Sequence, residues 1–336
     1  MLILDPVLMR KKLHIFVPGD SKSTNRLAQS SLASERIRLN PAALAAAELG
    51  YSVSMGDNFF SDISHALVGK IGANEIERRS SNWLRHLLKL RKNKSQVFLD
   101  YTDHHIGSGS LMSGFYEEAL PLCSHVVAPN VAMRAVLMAM DSAQPTTVIE
   151  DLLEYEPLSP AKKQPLSNQQ PALWFGHPSN AIFLADFIDK NAKKMVGHDF
   201  VICSLPQTIE ILKRHSFQNR PQMQIRFLPW SRDNLLKIAK EASYCVIPSH
   251  INSPKVYASN NRLVTALALG LPTIATPIPS YQEFSEYFAE EGTQQADEIM
   301  ANPNVAHNKI VAFQDTEVSR FQLPSIMAAW QKLLLA

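Results

Sequence analysis

A chain of 336 residues with 46% hydrophobic content is longer than one average domain and carries enough apolar side chains for two independent cores. Its 33 basic and 31 acidic residues leave a formal charge of +2, which excludes a global pull toward nucleic acid or anionic lipid, so any anion site must be local. The three cysteines, Cys123, Cys203 and Cys245, are odd in number and set among apolar neighbours, so neither a disulfide framework nor a zinc site is expected, and a cytoplasmic location is.

The first residues, MLILDPVLMRKK, lack a basic leader followed by a long apolar region, and no apolar run approaches a membrane span. A soluble protein is expected, with peripheral contact at the inner face of a membrane left open. Leu13 to Val17 reads as the first strand, ended by Pro18-Gly19 and followed by a polar loop from Asp20 to Gln29. A helix is expected over Ala33 to Leu49, stopped by Gly50, with Pro41 breaking or kinking it. Arg36 and Arg38 stand near its start, where paired donors suit an anionic acceptor or a donor phosphate. Solvated surface arginines fit the same pattern.

Strands follow at Ser52 to Met55 and Ala66 to Val68, then an amphipathic segment from Glu75 to Lys92 and a strand at Gln96 to Asp100. That strand runs into the densest polar cluster of the chain, Asp100-Tyr101-Thr102-Asp103-His104-His105. A carboxylate beside an imidazole can tune a general base, so Asp103 and His105 are candidates to orient or deprotonate an acceptor hydroxyl, with His104 beside them. Adjacent histidines without a spaced partner motif are a poor zinc signature, and no metal is expected. His125 to Ala128 reads as a further strand. Short apolar runs alternating with helical segments predict α/β architecture with a parallel, doubly wound sheet.

Leu158 to Pro171 is rich in proline and polar residues without an apolar period and reads as a linker. The expected organisation is a first domain over 1–157, a linker over 158–171, a second domain over 172–320 and a C-terminal helical segment over 321–336 that can pack back on the first domain. Strands of the second series are expected at Ala172 to Phe175, Phe200 to Cys203, Gln224 to Leu228, Tyr244 to Ile247 and Thr273 to Ala275, with an amphipathic helix at Ser325 to Leu335.

Open parallel sheets bind ligands beyond the carboxyl ends of their strands, which singles out three loops. Gly176-His177-Pro178-Ser179-Asn180 can present backbone amides at a helix start, although one glycine does not make the three-glycine dinucleotide fingerprint. Trp230 can wall a base pocket or simply pack in the core. In the stretch from Val246 to Thr276, Ser249 ends a strand, Ser259, Asn260 and Asn261 are helix-capping types, and Lys255 and Arg262 flank them. A helix N-terminus carries unpaired amides and partial positive charge, so two added cations make a seat for a phosphate.

Three runs carry a family resemblance: Ile225-Arg-Phe-Leu-Pro-Trp-Ser, then Leu235 through the Tyr-Cys-Val-Ile-Pro-Ser ending at Ser249, then Ala266-Leu-Ala-Leu-Gly-Leu-Pro-Thr-Ile-Ala-Thr. Their order of strand, helix, strand-Pro-Ser and helix-Gly-x-Pro resembles the donor-binding domain of GT-B glycosyltransferases, particularly the retaining family-4-like group, over about Ala172 to Tyr281. Ser34-Glu-Arg-Ile-Arg more faintly resembles the acceptor-side start. The resemblance implies two Rossmann-like domains facing a cleft, with a nucleotide-sugar donor held mainly by the second. It places Gly176 in the first donor loop and Lys255, Asn260, Asn261 and Arg262 around the donor sugar and diphosphate. Two departures stand out: His177 follows Gly176 where the family has a basic pair, and Thr265 occupies the place of the ribose-holding glutamate, so the E-x7-E pattern is absent.

The implied activity is sugar transfer to a hydroxyl of a saccharide or lipid-linked acceptor, as in bacterial-type surface polysaccharide or glycoconjugate synthesis. It needs neither a cofactor nor a metal, and nucleic acid is not an expected partner. Retention of configuration is favoured on the resemblance alone. A nucleotide-sugar epimerase of related fold and a non-catalytic nucleotide-sugar-binding or scaffold subunit are the competing readings.

Overall fold

The computed structural model describes residues 11–19, 23–59, 62–140, 144–160, 170–195, 197, 199–215, 223–252 and 254–336. The N-terminal segment read for a leader, the start of the polar loop expected from Asp20, and positions 161–169 of the expected linker lie outside them, wholly or in large part. The chain forms two compact units. The first comprises the residues up to Leu152 together with Tyr257–Ser259 and Phe321–Ala336, and the second comprises Leu153–Val256 and Asn260–Arg320.

The first unit is built on β1 (Lys12–Phe16), β2 (Ser52–Gly56), β3 (His65–Val68), β4 (Gln96–Asp100), β5 (His125–Ala128) and β6 (Thr146–Val148). They form one sheet in the order β2-β1-β3-β4-β5-β6, every pair parallel. All four residues of β3 are buried, as a parallel strand covered on both faces requires. The chain enters at β1, steps outward to β2, then crosses to β3 on the other side, which makes a switch point between β1 and β3. Gly69 sits there because a Cβ would lie 2.8 Å from both Phe16 O and Leu39 Cδ1.

Around this sheet lie α1 (Asn25–Gln29), α2 (Asn40–Glu48), α3 (Ile76–Lys92), α4 (Ser113–Ala119) and α5 (Val131–Ala139). The single helix expected over Ala33 to Leu49 divides into a π-helical turn, Glu35–Leu39, and α2, with Pro41 in the first turn of α2. The wide turn accommodates a residue that has no N–H to donate and whose ring would crowd a preceding carbonyl. Asn130 caps α5 by accepting from Met133 N at 2.8 Å.

The second unit contains β7 (Ala172–Phe175), β8 (Phe200–Ser204), β9 (Ile225–Pro229), β10 (Tyr244–Ile247), β11 (Thr273–Ala275) and β12 (Ala289–Glu290). Their order is β12-β11-β10-β7-β8-β9, again all parallel, with the switch point between β7 and β10. Its helices are α6 (Ala181–Asn191), α7 (Gln207–Arg214), α8 (Arg232–Glu241), α9 (Asn261–Ala268), α10 (Gln294–Ala301) and α11 (His307–Thr316). Ser231 caps α8 and Thr293 caps α10 through their side-chain oxygens. Trp174, Leu184, Phe187, Phe200 and Tyr244 are among the buried residues of the core on one face of this sheet.

The last helix, α12 (Leu323–Leu335), belongs to the first unit. Its Ile326, Trp330, Leu333 and Leu334 join the alanine-rich face of α2 in one core, and Tyr51 Oη donates to Leu334 O at 2.9 Å. Trp330 is 1% exposed, so truncating it to alanine would cost about 3–5 kcal/mol.

The strands expected from sequence lie within a residue or two of those observed; β6 and β12 had no sequence signal. Among the described residues no helix is long and apolar enough to cross a membrane.

Candidate functional site

In the second unit, the carboxyl ends of β7 and β10 flank the switch point, and four of the residues singled out by sequence gather there. Gly176 follows β7 immediately, and a Cβ on it would come 3.3 Å from Arg262 Nη1 and 3.3 Å from Trp174 Cζ2. The absent side chain therefore lets the Arg262 guanidinium lie against the loop backbone. Arg262 Nη1 is buried and has no hydrogen-bond partner among the described residues. The exposed Lys255 donates from Nζ to Ser179 Oγ at 2.7 Å. Ser179 is in turn paired with His177, whose Nδ1 lies 2.9 Å from Ser179 Oγ and accepts from Ser179 N at 3.2 Å. Ser204 Oγ fixes the loop from the neighbouring strand by donating to Gly176 O at 2.6 Å. Two cations thus converge on a backbone turn, an arrangement that attracts a multiply charged anion.

The other donor-side candidates divide. Asn180 ends the short turn Pro178–Asn180 and donates from its backbone to His177 O. Ser249 N donates to Thr276 Oγ1 at 2.9 Å, and that hydroxyl donates to Glu291 Oε2 at 2.8 Å, so Ser249 is tied to the β11 end. Trp230 is half-buried beyond β9, two strands away from β7. Thr265 is 3% exposed within α9.

The expectation of side-chain capping by Ser259 to Asn261 is not met at the N-cap. Asn260 occupies it without a side-chain cap bond, because its amide donates to Glu283 Oε1 at 3.1 Å. Asn260 Oδ1 is buried and has no hydrogen-bond partner among the described residues. Asn261 is the half-buried first residue of α9. Ser259 belongs to the first unit, where its hydroxyl donates to Asp151 Oδ2.

In the first unit the post-β4 cluster is ordered by Tyr101, whose hydroxyl oxygen accepts from His105 N at 2.9 Å and Ile106 N at 3.0 Å. Asp103 forms an ion pair with Lys70, which lies just beyond β3, a partner that sequence reasoning missed although it too follows a strand end. His105 is 7% exposed and stacks on Tyr116 with ring centroids 4.9 Å apart. Its Nδ1 lies 2.9 Å from Ser110 Oγ, whereas Nε2 is buried with no hydrogen-bond partner among the described residues. Burial lowers the His105 pKa against the opposing pull of Asp103, which favours the neutral imidazole. In the tautomer whose Nδ1–H is directed at Ser110, Nε2 carries a lone pair held inside the fold. His104 packs edge-on against Tyr257 at 5.8 Å, and burial lowers its pKa as well.

Arg36 and Arg38, expected to meet an acceptor, are 5% and 1% exposed. Arg36 donates to Ser30 O at 2.7 Å. Arg38 donates from Nε and Nη2 to Asp100 and from Nη1 to Ile149 O and Asp151. Burial disfavours the guanidinium charge, but Asp100 and Asp151 outweigh it and raise the Arg38 pKa. Its charge is thus compensated inside the unit, and no donor is left facing a ligand. The carboxylates and Arg38 lie 62 and 113 residues apart in the chain, so no local pattern announced the cluster. Among the described residues no group of three or more His, Cys, Asp or Glu could hold a metal ion.

No family model matches the chain, and no curated protein matches it in sequence. Solved structures do. HepE from Anabaena, in complex with UDP, is similar with a TM-score of 0.63 at 12% identity, over 97% of this chain and 99% of that one. An alpha-glucosyltransferase in complex with UDP-glucose and DNA containing an abasic site is similar with a TM-score of 0.56 at 13% identity, over 96% and 99%. The trehalose-6-phosphate synthase OtsA gives a TM-score of 0.53 at 11% identity, over 97% and 98%. The chain has the GT-B glycosyltransferase fold, in which each Rossmann-like domain is here a six-stranded parallel sheet flanked by helices.

Proposed function

We propose that this protein is a glycosyltransferase that moves a sugar from a nucleoside-diphosphate donor to a hydroxyl of a saccharide or lipid-linked acceptor. The observation that carries the reading is the approach of Arg262 to Gly176 beside Lys255 and Ser179, at the switch point of the second unit. Negative charge grows on the departing diphosphate as the glycosidic bond breaks, and fixed cations stabilise that charge more than they stabilise the ground state. Lys255, Arg262 and the Gly176 loop bind the diphosphate. Asp103 and His105 in the first unit orient the acceptor hydroxyl, and the Lys70 ion pair holds Asp103 in place.

In a retaining course the leaving phosphate accepts the acceptor proton; in an inverting one the partly exposed Asp103 accepts it, with the buried His105 beside it. We favour retention, on the sequence resemblance to the retaining group. UDP in HepE and UDP-glucose in the alpha-glucosyltransferase make uridine-diphosphate sugars the first donors to test. Surface polysaccharide or glycoconjugate synthesis at the inner face of a membrane is the setting this chemistry suits. A thermal-shift screen of nucleotide sugars tests the reading, since a true donor stabilises the folded protein by mass action. Absence of a shift with every donor, together with no transfer to saccharide or lipid-linked acceptors, would refute it.

A further inference from the structure

A cavity of ≈ 280 Å³ lies at the amino-terminal edge of the first sheet, the edge opposite Asp103 and His105. Its wall comprises Arg91 at the end of α3, Lys94, Ser95 and Gln96 leading into β4, and Pro121 and Ser124 ahead of β5. Among the described residues no carboxylate lines it. Arg91 Nη1 donates to Pro121 O at 2.8 Å, which braces the guanidinium across the opening. Ser95 Oγ donates to Ile63 O at 2.7 Å, and Ser124 Oγ accepts from Val97 N at 2.8 Å, so the floor is fixed to the sheet. From Arg78 to Leu99 the sequence has no acidic residue, while Arg85, Lys89, Arg91, Lys92 and Lys94 are all exposed.

Lys94 supplies a second, independent observation. It ends α3 with φ of 57°, in the left-handed region, while Ser95 N reaches back to Leu90 O at 3.0 Å. This is the helix-ending motif in which glycine is the usual residue, because a Cβ is disfavoured there. Lys89, Arg91 and Lys92 already complement the negative end of the helix dipole. A fourth cation is more than the helix dipole requires, and glycine would end the helix at less cost.

We infer that this cavity binds a phosphate group, carried by free phosphate, a phosphate ester or an anionic lipid headgroup. Arg91 and Lys94 supply the charge, and the Gln96 amide a neutral donor. The site does not depend on the glycosyl-transfer reading.

The test compares the intact protein with Lys94→Gly and with Lys94→Gly/Arg91→Gln. Lys94→Gly relieves the strain, so its Tm in phosphate-free buffer should rise by about 1–3 °C, which checks that the fold is intact. Amide hydrogen exchange over residues 91–99 is then followed as inorganic phosphate is added, a local readout that Lys255 and Arg262 do not supply. Co-sedimentation with phosphatidylcholine vesicles, with and without phosphatidic acid, tests the lipid source. Phosphate-dependent protection in the intact protein, weakened at least about fivefold in the double variant, supports a soluble ligand. Sedimentation that needs phosphatidic acid and is lost in the double variant supports a headgroup. If neither response occurs, or if both variants respond as the intact protein does, the site does not exist.

Discussion

Gly176 and Arg262 are in direct apposition: a Cβ on the glycine would stand 3.3 Å from the arginine Nη1. The guanidinium must therefore give by a few tenths of an ångström if alanine is introduced. Gly176→Ala should weaken donor binding by about tenfold, equivalent to ~1.4 kcal/mol, and lower Tm as well, because the same Cβ presses on the buried Trp174 ring. Donor titration by calorimetry or fluorescence decides this, and an unchanged affinity would detach the glycine from the anion seat.

Removing either cation should damage transfer more than folding. Lys255 is exposed and Arg262 half-buried, so Lys255→Ala in particular leaves no buried charge behind. Each variant should lose well over about tenfold in kcat/KM; Lys255→Ala should keep a Tm near that of the parent, whereas Arg262→Ala also removes the hydrogen-bond partner of the buried Tyr281 hydroxyl and should lower it. Full activity in both variants would dismiss the proposed diphosphate site.

On the acceptor side, Asp103→Asn and His105→Ala should raise the acceptor KM or lower kcat while leaving nucleotide affinity unchanged. His105→Ala also removes the stack on Tyr116, so His105→Gln, which keeps bulk and a hydrogen bond to Ser110, is the better control. A defect confined to donor affinity would contradict the assignment of these residues.

Arg38 should behave in the opposite way to Lys255. Arg38→Met would leave Asp100 and Asp151 buried without their cation, a loss of about 3–5 kcal/mol, and urea unfolding should show it. Burial already raises the Asp151 pKa against the pull of Arg38, and removing that pull would raise it further. A stable Arg38→Met protein with lost acceptor binding would return the arginine to the ligand.

The protein should lose stability in mild acid through His14. This imidazole is 1% exposed, bridges Ser54 Oγ and Gly56 O, and is held by burial at a pKa of about 4. Its unfolded value is near 6.5, so as pH falls through 6.5 the unfolded chain takes up a proton that the folded one refuses. The contribution is complete above about pH 6.5 and is lost progressively toward pH 4, amounting to about 3 kcal/mol over the whole window. Urea midpoints measured across that range should fall more steeply for the parent than for His14→Gln; equal slopes would refute the assignment to His14.

Much of this architecture was legible because a strand buried on both faces must be apolar throughout. Ala172-Leu173-Trp174-Phe175 and Tyr244-Cys245-Val246-Ile247 announce themselves in that way, and each is ended by a proline-containing turn. β12 has only Ala289 and Glu290, too short to carry any period. The candidate site could be read where polar residues follow a strand end, as at Gly176 and Asp103. It failed where long-range pairing decides the role. Nothing near Arg38 reveals Asp100 or Asp151, and nothing near Asn260 reveals that Glu283, 23 residues on, draws its amide away from α9.

The packing of α12 on α2 has a consequence for how the chain folds as it is made. The strands of the second unit end at Glu290 and can pair before the tail has emerged, but the alanine face of α2 stays uncovered until Ile326 to Leu334 are free. The unit translated first is thus finished last. A nascent chain arrested short of Leu323 should expose that face to a chaperone or protease, even though the whole of its sheet has already been synthesised.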